Sequence, residues 1–388
     1  MFRNTAALVD CDILTDNIRN IRENYEYEYY IGVVKANAYG HGDYVVGSLI
    51  RGGVNYLAAS SLEECLSVRK RNSDIPILCL EPINVEYLDI CAENNITITI
   101  PDIDYYREMR GGVALKAHIK IDCGMNRLGF KDKHELKKVV DDIGDRGDLQ
   151  LEGIYTHFAT SGIQDKHWDN NLKNFCEITS LIELTKIPIV HLGRSLTMVN
   201  HDKIPFANGI RIGIVMYGFD NKMQEPTGLR ALKKKLLLKK YNISQTRLTN
   251  SLHLKTAFSL RSEIMSIKRV NKGERIGYGA EYEAKDNILI GVVPVGFADG
   301  FLPGNNGRYV KINQKRYEIV SGIGMDMTIV KIDESVKVHD TVMLYDDIRE
   351  AAAYMGINSY RLLTSVTNRV PRIYKEGDKF TEIKYYGE

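Results

Sequence analysis

Cysteine is absent from the second half of this 388-residue chain. The six that occur, Cys11, Cys65, Cys79, Cys91, Cys123 and Cys176, form no C-x-x-C pair and mostly sit in apolar runs. They read as reduced thiols in or near a core, in a cytosolic compartment. No secretory signal opens the chain. The longest nearly apolar run, ILIGVVPVGFA at 288–298, is too short and too broken by Gly and Pro to span a bilayer. An excess of either charge is missing too. The formal net charge is +2, which singles out neither nucleic acid nor a membrane surface as a partner. No H-E-x-x-H or other compact ligand motif occurs, so no metal is expected. These absences point to a soluble, cytoplasmic protein. The ordered-looking ALVDC segment begins almost at once, which is compatible with a domain cut from something longer.

What remains is ordinary globular composition, 44% hydrophobic and 26% charged, in a length that suits two domains or a large barrel plus a smaller domain. Eight short apolar runs recur in the first 218 residues, at 31–35, 56–60, 76–80, 96–100, 117–122, 151–156, 187–192 and 210–218. Helical patterns such as SLEECLSVRKR (61–71) and NVEYLDICAENN (84–95) separate them, and DILTDNIRNIREN (12–24) precedes the first. Strands alternating with helices imply a parallel sheet, and eight such units fit a (β/α)8 barrel. After Gly218 the texture changes. Residues 219–253 read as a connector whose basic run LRALKKKLLLKK, 229–240, suits a solvated amphipathic helix. From 255 onward, β-branched runs separated by NKGE, NNG and NQK turns read as a mostly β domain with one helix at 348–356. The expected fold is therefore α/β: a TIM-like barrel over 1–225, then a β domain over 226–388.

In such a barrel, reactive groups come from the C-terminal ends of the strands. Lys35 closes the first run, Lys120 and Asp122 the fifth, His157 the sixth and His191 the seventh, while Arg211 lies in the eighth. Each alone is compatible with a structural role; together they aim Lys, His, His and Arg at one mouth. A lysine amid apolar strand and other cations has its ammonium form disfavoured. Such an amine forms Schiff bases with carbonyl substrates or with pyridoxal phosphate.

Eight motifs then become specific. VVKANAYGHG (33–42) resembles the pyridoxal-phosphate lysine motif of the alanine racemase family. HIKIDCGMNRLGF (118–130), THFATS (156–161), IRIGIVMYG (210–218), GERIGYGAEY (273–282), VPVGFADGF (293–301), GMDM (324–327) and RVPRIY (369–374) resemble the motifs that follow it, in the same order. The resemblance implies pyridoxal 5'-phosphate on Lys35, with Lys35 and Tyr278 as bases on opposite faces of the substrate Cα. It implies that Arg211 faces the pyridine nitrogen, that His191 bridges Arg211 and Tyr278, and that His157 backs the ring. Tyr39, Ser195 and the backbone of Gly213 and Ile214 would hold the phosphate. Arg127 would contact the substrate carboxylate, with Lys120 as a possible carbamylation site orienting it. Met325 and Asp326 would line the entrance. A head-to-tail homodimer, with Tyr278 and Met325 reaching the partner's site, is also implied.

Three positions depart from the family pattern. Arg194 replaces a common Asn, Phe297 replaces a common Tyr, and Asn368 stands where the family usually has Tyr. Asparagine is smaller and offers both a donor and an acceptor. In this the chain looks like the VanT-type serine racemases of vancomycin resistance. The expected substrates are serine, then alanine, supplying D-amino acid for peptidoglycan precursors. A housekeeping alanine racemase is the alternative. If the VanT likeness holds, the chain is the cytoplasmic domain of a membrane-anchored protein.

Overall fold

The computed structural model describes residues 3–385 apart from 110, 161–165, 220–228, 230–231, 233–234 and 237–251. The chain divides into two compact units. One comprises Leu14–Ala36 and Val46–Lys255; the other comprises Met1–Ile13, Asn37–Val45 and Thr256–Glu388.

The strand β1 (Ala6–Asp10) belongs to the second of these units. In the first, eight parallel strands close into a barrel: β2 (Tyr29–Val33), β3 (Tyr56–Ala59), β4 (Ile77–Cys79), β5 (Ile96–Ile100), β6 (Leu115–Ile121), β7 (Leu149–Thr156), β8 (Ile189–Arg194) and β9 (Gly209–Ile212). Closure is made by β9 on β2, with Arg211 opposite Ile31. The expected (β/α)8 barrel is present. Its strands read as apolar runs because both faces are covered, one by helices and one by the barrel interior; all five residues of β5 are buried. The helices start where the sequence caps them. Ser61 accepts from the Glu64 N–H ahead of Leu62–Arg71, and Asp132 accepts from the His134 and Glu135 N–H groups ahead of Lys133–Gly144.

Strand ends differ from the sequence expectation in ways that matter for the mouth. The run 210–218 is strand only to Ile212. The chain then turns, with the Met216 N–H on the Gly213 carbonyl and Gly218 at φ 94°. The run 187–192 extends to Arg194, so His191 lies within β8 and not at its end.

In the second unit the strands are β10 (Phe258–Glu263), β11 (Ser266–Val270), β12 (Arg275–Ile276), β13 (Tyr282–Glu283), β14 (Ile288–Val293), β15 (Tyr309–Ile312), β16 (Lys315–Glu318), β17 (Thr328–Ile332), β18 (Thr341–Tyr345), β19 (Arg372–Glu376) and β20 (Lys379–Ile383). They form a seven-stranded sheet in the order β16-β15-β18-β10-β1-β19-β20, a three-stranded sheet β11-β14-β17 and the pair β12-β13. This is the mostly β domain expected. Its helix at Ile348–Met355 is followed by a second at Ser359–Ser365, which the sequence reading omitted; Asn358 caps it by accepting from the Arg361 N–H.

All six cysteines are thiols outside any disulfide; five are buried and Cys176 is exposed. Among the described residues no helix is long and apolar enough to cross a membrane. Of the basic stretch 229–240, only Leu229, Leu232, Lys235 and Leu236 are described; they are helical and exposed, and the rest lies outside the described residues.

Candidate active site

Lys35 does not end its strand. β2 stops at Val33, and Lys35 opens a turn in which Ala36, Asn37, Ala38 and Tyr39 have φ of 52°, 53°, 50° and 54°. Four consecutive non-glycine residues therefore follow a left-handed helical path. That path costs L-residues about 1–2 kcal/mol each. Surrounding structure has to hold it, and two sets of contacts do. On the barrel side, the Glu64 carboxylate accepts from the Ala36 N–H at 2.7 Å and the Ser60 N–H at 2.9 Å. In the second unit, the Gly42 N–H returns to the Asn37 carbonyl at 2.9 Å, and the Tyr374 hydroxyl donates to the His41 carbonyl at 2.9 Å. Arg372 donates to the Gly40 carbonyl through Nε and Nη2, both at 3.1 Å. The dense Ala-Asn-Ala-Tyr-Gly-His-Gly sequence is thus a turn of small residues and glycines that tolerates positive φ. The Lys35 side chain is exposed, not enclosed by the apolar surroundings the sequence suggested.

The buried lysine is Lys120. Its Nζ lies 4.4 Å from the centre of the Tyr155 ring. Burial, with Arg211 and Arg127 adding repulsion, brings its pKa down to about 7. Arg127 itself is exposed, on a loop that Asp122 organises by accepting from the Gly124 and Asn126 N–H groups at 3.1 and 2.9 Å. The loop closes back on β6, with the Phe130 N–H on the Lys120 carbonyl at 2.8 Å.

Arg211 is fully enclosed. It donates from Nη1 to His191 Nδ1 at 2.8 Å and to the His191 carbonyl at 2.6 Å, and from Nη2 to the Thr156 carbonyl at 2.5 Å. Its guanidinium sits 5.2 Å from the Tyr155 ring. Burial lowers its pKa to about 10, so it remains a cation. His191 stacks on Tyr155 at 4.8 Å and 12°, and its Nε2 lies 2.8 Å from His118 Nδ1. Both ring nitrogens are therefore engaged. This corrects the expected bridge from Arg211 to Tyr278, because the second partner of His191 is His118.

His157 follows β7 directly. Burial and the nearby cations Arg211, Arg194, Lys120 and Arg127 push its pKa down to about 2. Ser195 opens a short helix, Ser195–Asn200, and its Oγ accepts from the Gly213 N–H at 3.0 Å; Ile214 is buried next to Gly213.

The barrel thus brings together Lys120, Arg127, His157, His191, Ser195, Arg211, Gly213 and Ile214, with Lys35 two residues beyond the adjoining strand β2. Tyr39, Tyr278, Met325, Asp326 and Asn368 belong to the other unit. There, Tyr39 is buried with its ring 5.6 Å from that of Tyr360. Tyr278, between Gly277 and Gly279 with φ of 78° and 71°, is 82% exposed. Met325 and Phe297 are exposed too, and their segments are joined by the Phe297 N–H on the Gly324 carbonyl and the Ala298 N–H on the Met325 carbonyl. Asp326 accepts from Arg369 Nη2 at 2.7 Å. Asn368, the residue before Arg369, is exposed in a turn. The turn hangs from the Phe297–Asp299 segment through the Thr367 N–H on the Asp299 carbonyl and the Thr367 hydroxyl on the Ala298 carbonyl.

Sequence reasoning missed Tyr155, His118, Glu152 and Arg372. His118 was within reach: it stands two residues before Lys120 on β6, so the two-residue period of a strand puts both on one face.

The chemistry of this mouth fits a phosphorylated aldehyde cofactor. Arg211, Arg194, Lys120 and Arg127 all act on His157, a serine hydroxyl meets a backbone N–H beside a helix start, and a lysine amine lies two residues beyond the adjoining strand. Such a concentration of positive charge suits a phosphate and a carboxylate.

Comparison with known proteins agrees along the whole chain. The family description "Alanine racemase, N-terminal domain" matches residues 9–221, and "Alanine racemase, C-terminal domain" matches 257–374. Alanine racemase 1 of Bacillus subtilis is 30% identical over 396 aligned positions, covering 99% of this chain and 96% of that protein. The alanine racemase of Geobacillus kaustophilus is 31% identical, covering 98% and 97%. The crystal structure of alanine racemase from Bacillus anthracis with bound L-Ala-P superposes with a TM-score of 0.85 at 30% identity, over 99% of this chain and 98% of that one. A histidine racemase from Leuconostoc mesenteroides, at 24% identity and a TM-score of 0.83, shares the fold. The chain belongs to the alanine racemase family of pyridoxal 5'-phosphate-dependent amino-acid racemases.

Proposed function

We propose that this protein interconverts the L and D forms of serine, with alanine as a second substrate, by a two-base mechanism. The observation that carries the serine preference is Asn368. It is a small side chain with a donor and an acceptor, exposed at the tip of a turn tied to the Phe297 and Asp326 segments. A group that hydrogen-bonds a substrate hydroxyl discriminates against the substrate lacking it, whereas an apolar wall rejects an added hydroxyl only weakly. Fold alone does not choose the side chain, since a histidine racemase shares this architecture.

Pyridoxal 5'-phosphate, held through Lys35, supplies the electron sink that makes the substrate α-proton acidic. The residues of the chain do the rest. Ser195, Tyr39 and the backbone of Gly213 and Ile214 would hold the phosphate. His157, kept neutral by burial, would pack against the cofactor ring. Arg211, a cation that can only donate, would face the pyridine nitrogen of the bound cofactor and disfavour its protonation, which would favour racemisation over transamination. Lys35 Nζ takes or returns the α-proton on one face of the substrate and Tyr278 Oη on the other. Arg127 binds the carboxylate. Lys120, with a pKa near neutrality, is open to carbamylation by carbon dioxide, and the resulting anion would orient Arg127. The exposure of Tyr278 and Met325 supports a head-to-tail homodimer in which both, with Asp326, complete the partner's site. D-serine or D-alanine made here would enter peptidoglycan precursors. If the VanT likeness holds, the setting is vancomycin resistance, with this chain as a cytoplasmic domain.

The test is kcat/KM for L-serine and L-alanine in one cofactor-loaded preparation, with Asn368→Tyr beside the wild type. Serine is expected to equal or exceed alanine, and the variant to move the ratio toward alanine by about 10- to 100-fold. Alanine ahead by orders of magnitude, with a ratio unmoved by Asn368→Tyr, would establish the housekeeping alanine racemase reading that the names of the curated relatives favour.

A further inference from the structure

A line of polar groups continues below Arg211 into the barrel interior. Arg211 Nη1 reaches His191 Nδ1, and His191 Nε2 reaches His118 Nδ1, both at 2.8 Å. His118 Nε2 then lies 3.3 Å from Glu152 Oε2, close enough for attraction but without the alignment of a hydrogen bond. Glu152 also accepts from the Tyr56 hydroxyl at 2.6 Å and from the Thr97 hydroxyl at 3.1 Å, and pairs with Lys116 at 3.4 Å. None of His118, Glu152, Tyr56 or Thr97 belongs to the mouth described above.

The direction of this line follows from what each group can do. A guanidinium has donors only, so His191 Nδ1 must be the acceptor and its proton sits on Nε2. That proton points at His118 Nδ1, which must accept, so His118 carries its proton on Nε2, facing the Glu152 carboxylate. Both imidazoles are neutral, because burial lowers their pKa values. Burial works to raise the pKa of Glu152, but contacts from His118 and Tyr56 outweigh it and bring the value down to about 2. Arg211 stays a cation and Glu152 stays a carboxylate, so moving one proton along the whole line is disfavoured. The line is therefore a fixed dipolar brace and not a route for protons.

The backbone is shaped to make it. Opposite β6, Ala117 pairs with Leu151 and His118 pairs with Gly153, so Glu152 is the extra residue of a β-bulge. A bulge turns a side chain toward a face it would not otherwise occupy. A Cβ on Gly153 would come within 2.6–2.7 Å of three atoms of the His118 ring. Only glycine leaves room for that ring.

We propose that Glu152 and His118 are positioning residues for Arg211. Glu152 fixes the tautomer of His118, His118 fixes that of His191, and His191 then presents a bare Nδ1 that holds the guanidinium. The proposal rests on the racemase reading for its consequence, the orientation of the cation facing the cofactor. The brace itself is a property of the protein alone.

Two measurements separate these. The first is two-bond 1H–15N spectroscopy of histidine-labelled protein without cofactor. His118 and His191 are expected as neutral Nε2–H tautomers in the wild type, and Glu152→Gln is expected to change the pattern. The isosteric amide sits near the barrel surface and presents either a donor or a weaker acceptor. Wild-type histidines in the Nδ1–H form, or a pattern untouched by Glu152→Gln, would overturn the brace. The second uses the loaded enzyme. Glu152→Gln and Gly153→Ala are expected to lower kcat about tenfold or more with little change in KM, and to raise the fraction of turnovers ending in transamination. Altered tautomers with an unchanged partition would overturn the link to Arg211 while leaving the brace. A wild type that racemises no amino acid would sink the racemase reading without touching the spectroscopic result. Glu152→Asp, which keeps the carboxylate, is expected to restore the tautomer pattern in part. No such rescue would assign Glu152 to packing alone.

Discussion

Lys120→Met should make the protein more stable at neutral pH. In the wild type the ammonium is buried above Tyr155, and the group titrates at about 7 where an ordinary lysine titrates at 10.5. A depression of about 3.5 units corresponds to a ceiling of about 5 kcal/mol against the charged form. The folded pKa lies below the unfolded one. Below about pH 7 both states hold the proton, and the full penalty applies. Between about 7 and 10.5 the unfolded state binds more protons, so this group makes stability rise with pH. Above 10.5 both states are neutral and the penalty is gone. Methionine has a similar stem and no charge to desolvate, but it loses the cation–π contact with Tyr155, about 1–2 kcal/mol. The net gain at pH 7 is therefore about 2–4 kcal/mol, shrinking toward zero or below by pH 10. The assay is urea unfolding of both proteins, free of cofactor and carbon dioxide, at several pH values from 7 to 10. Subtracting one from the other cancels the titrations they share. A difference that does not change with pH over that range would refute the argument. Racemase activity should fall in the same variant, because the anchor proposed for Arg127 is gone.

Two further outcomes follow from the same kind of accounting. Arg372→Met should destabilise the protein by about 4 kcal/mol in urea unfolding, since the buried guanidinium donates to the carbonyls of Gly40, Val366, Thr367 and Val370 and would leave all four without it; a loss under about 1 kcal/mol would show those carbonyls find other partners. Gly129→Ala should cost about 2–4 kcal/mol and raise KM more than it lowers kcat, because Gly129 has φ 127° and a Cβ there would meet the Asp122 nitrogen at 2.4 Å, displacing the loop that carries Arg127.

The order of strands and helices, the barrel and the β domain after it were legible in the sequence by itself. A parallel strand covered on both faces must be apolar throughout, and such runs stand out against charged helices. The chemistry-bearing types at the mouth were legible for a related reason: Lys120, His157 and Arg211 interrupt those runs at or near their ends. Tertiary structure decided the rest. The left-handed path depends for Ala36 on Glu64 in the barrel, and within the other unit the carbonyls of Gly40 and His41 depend on Arg372 and Tyr374, more than 300 positions along the sequence. Which lysine feels burial depends on Tyr155, opposite Lys120 on the neighbouring strand. Glu152 had no sequence signal, because a bulge moves a side chain to the other face without changing the residue pattern. Local spacing specifies which face a residue takes while the strand is regular. Where the strand is irregular, only the partner across the sheet determines it.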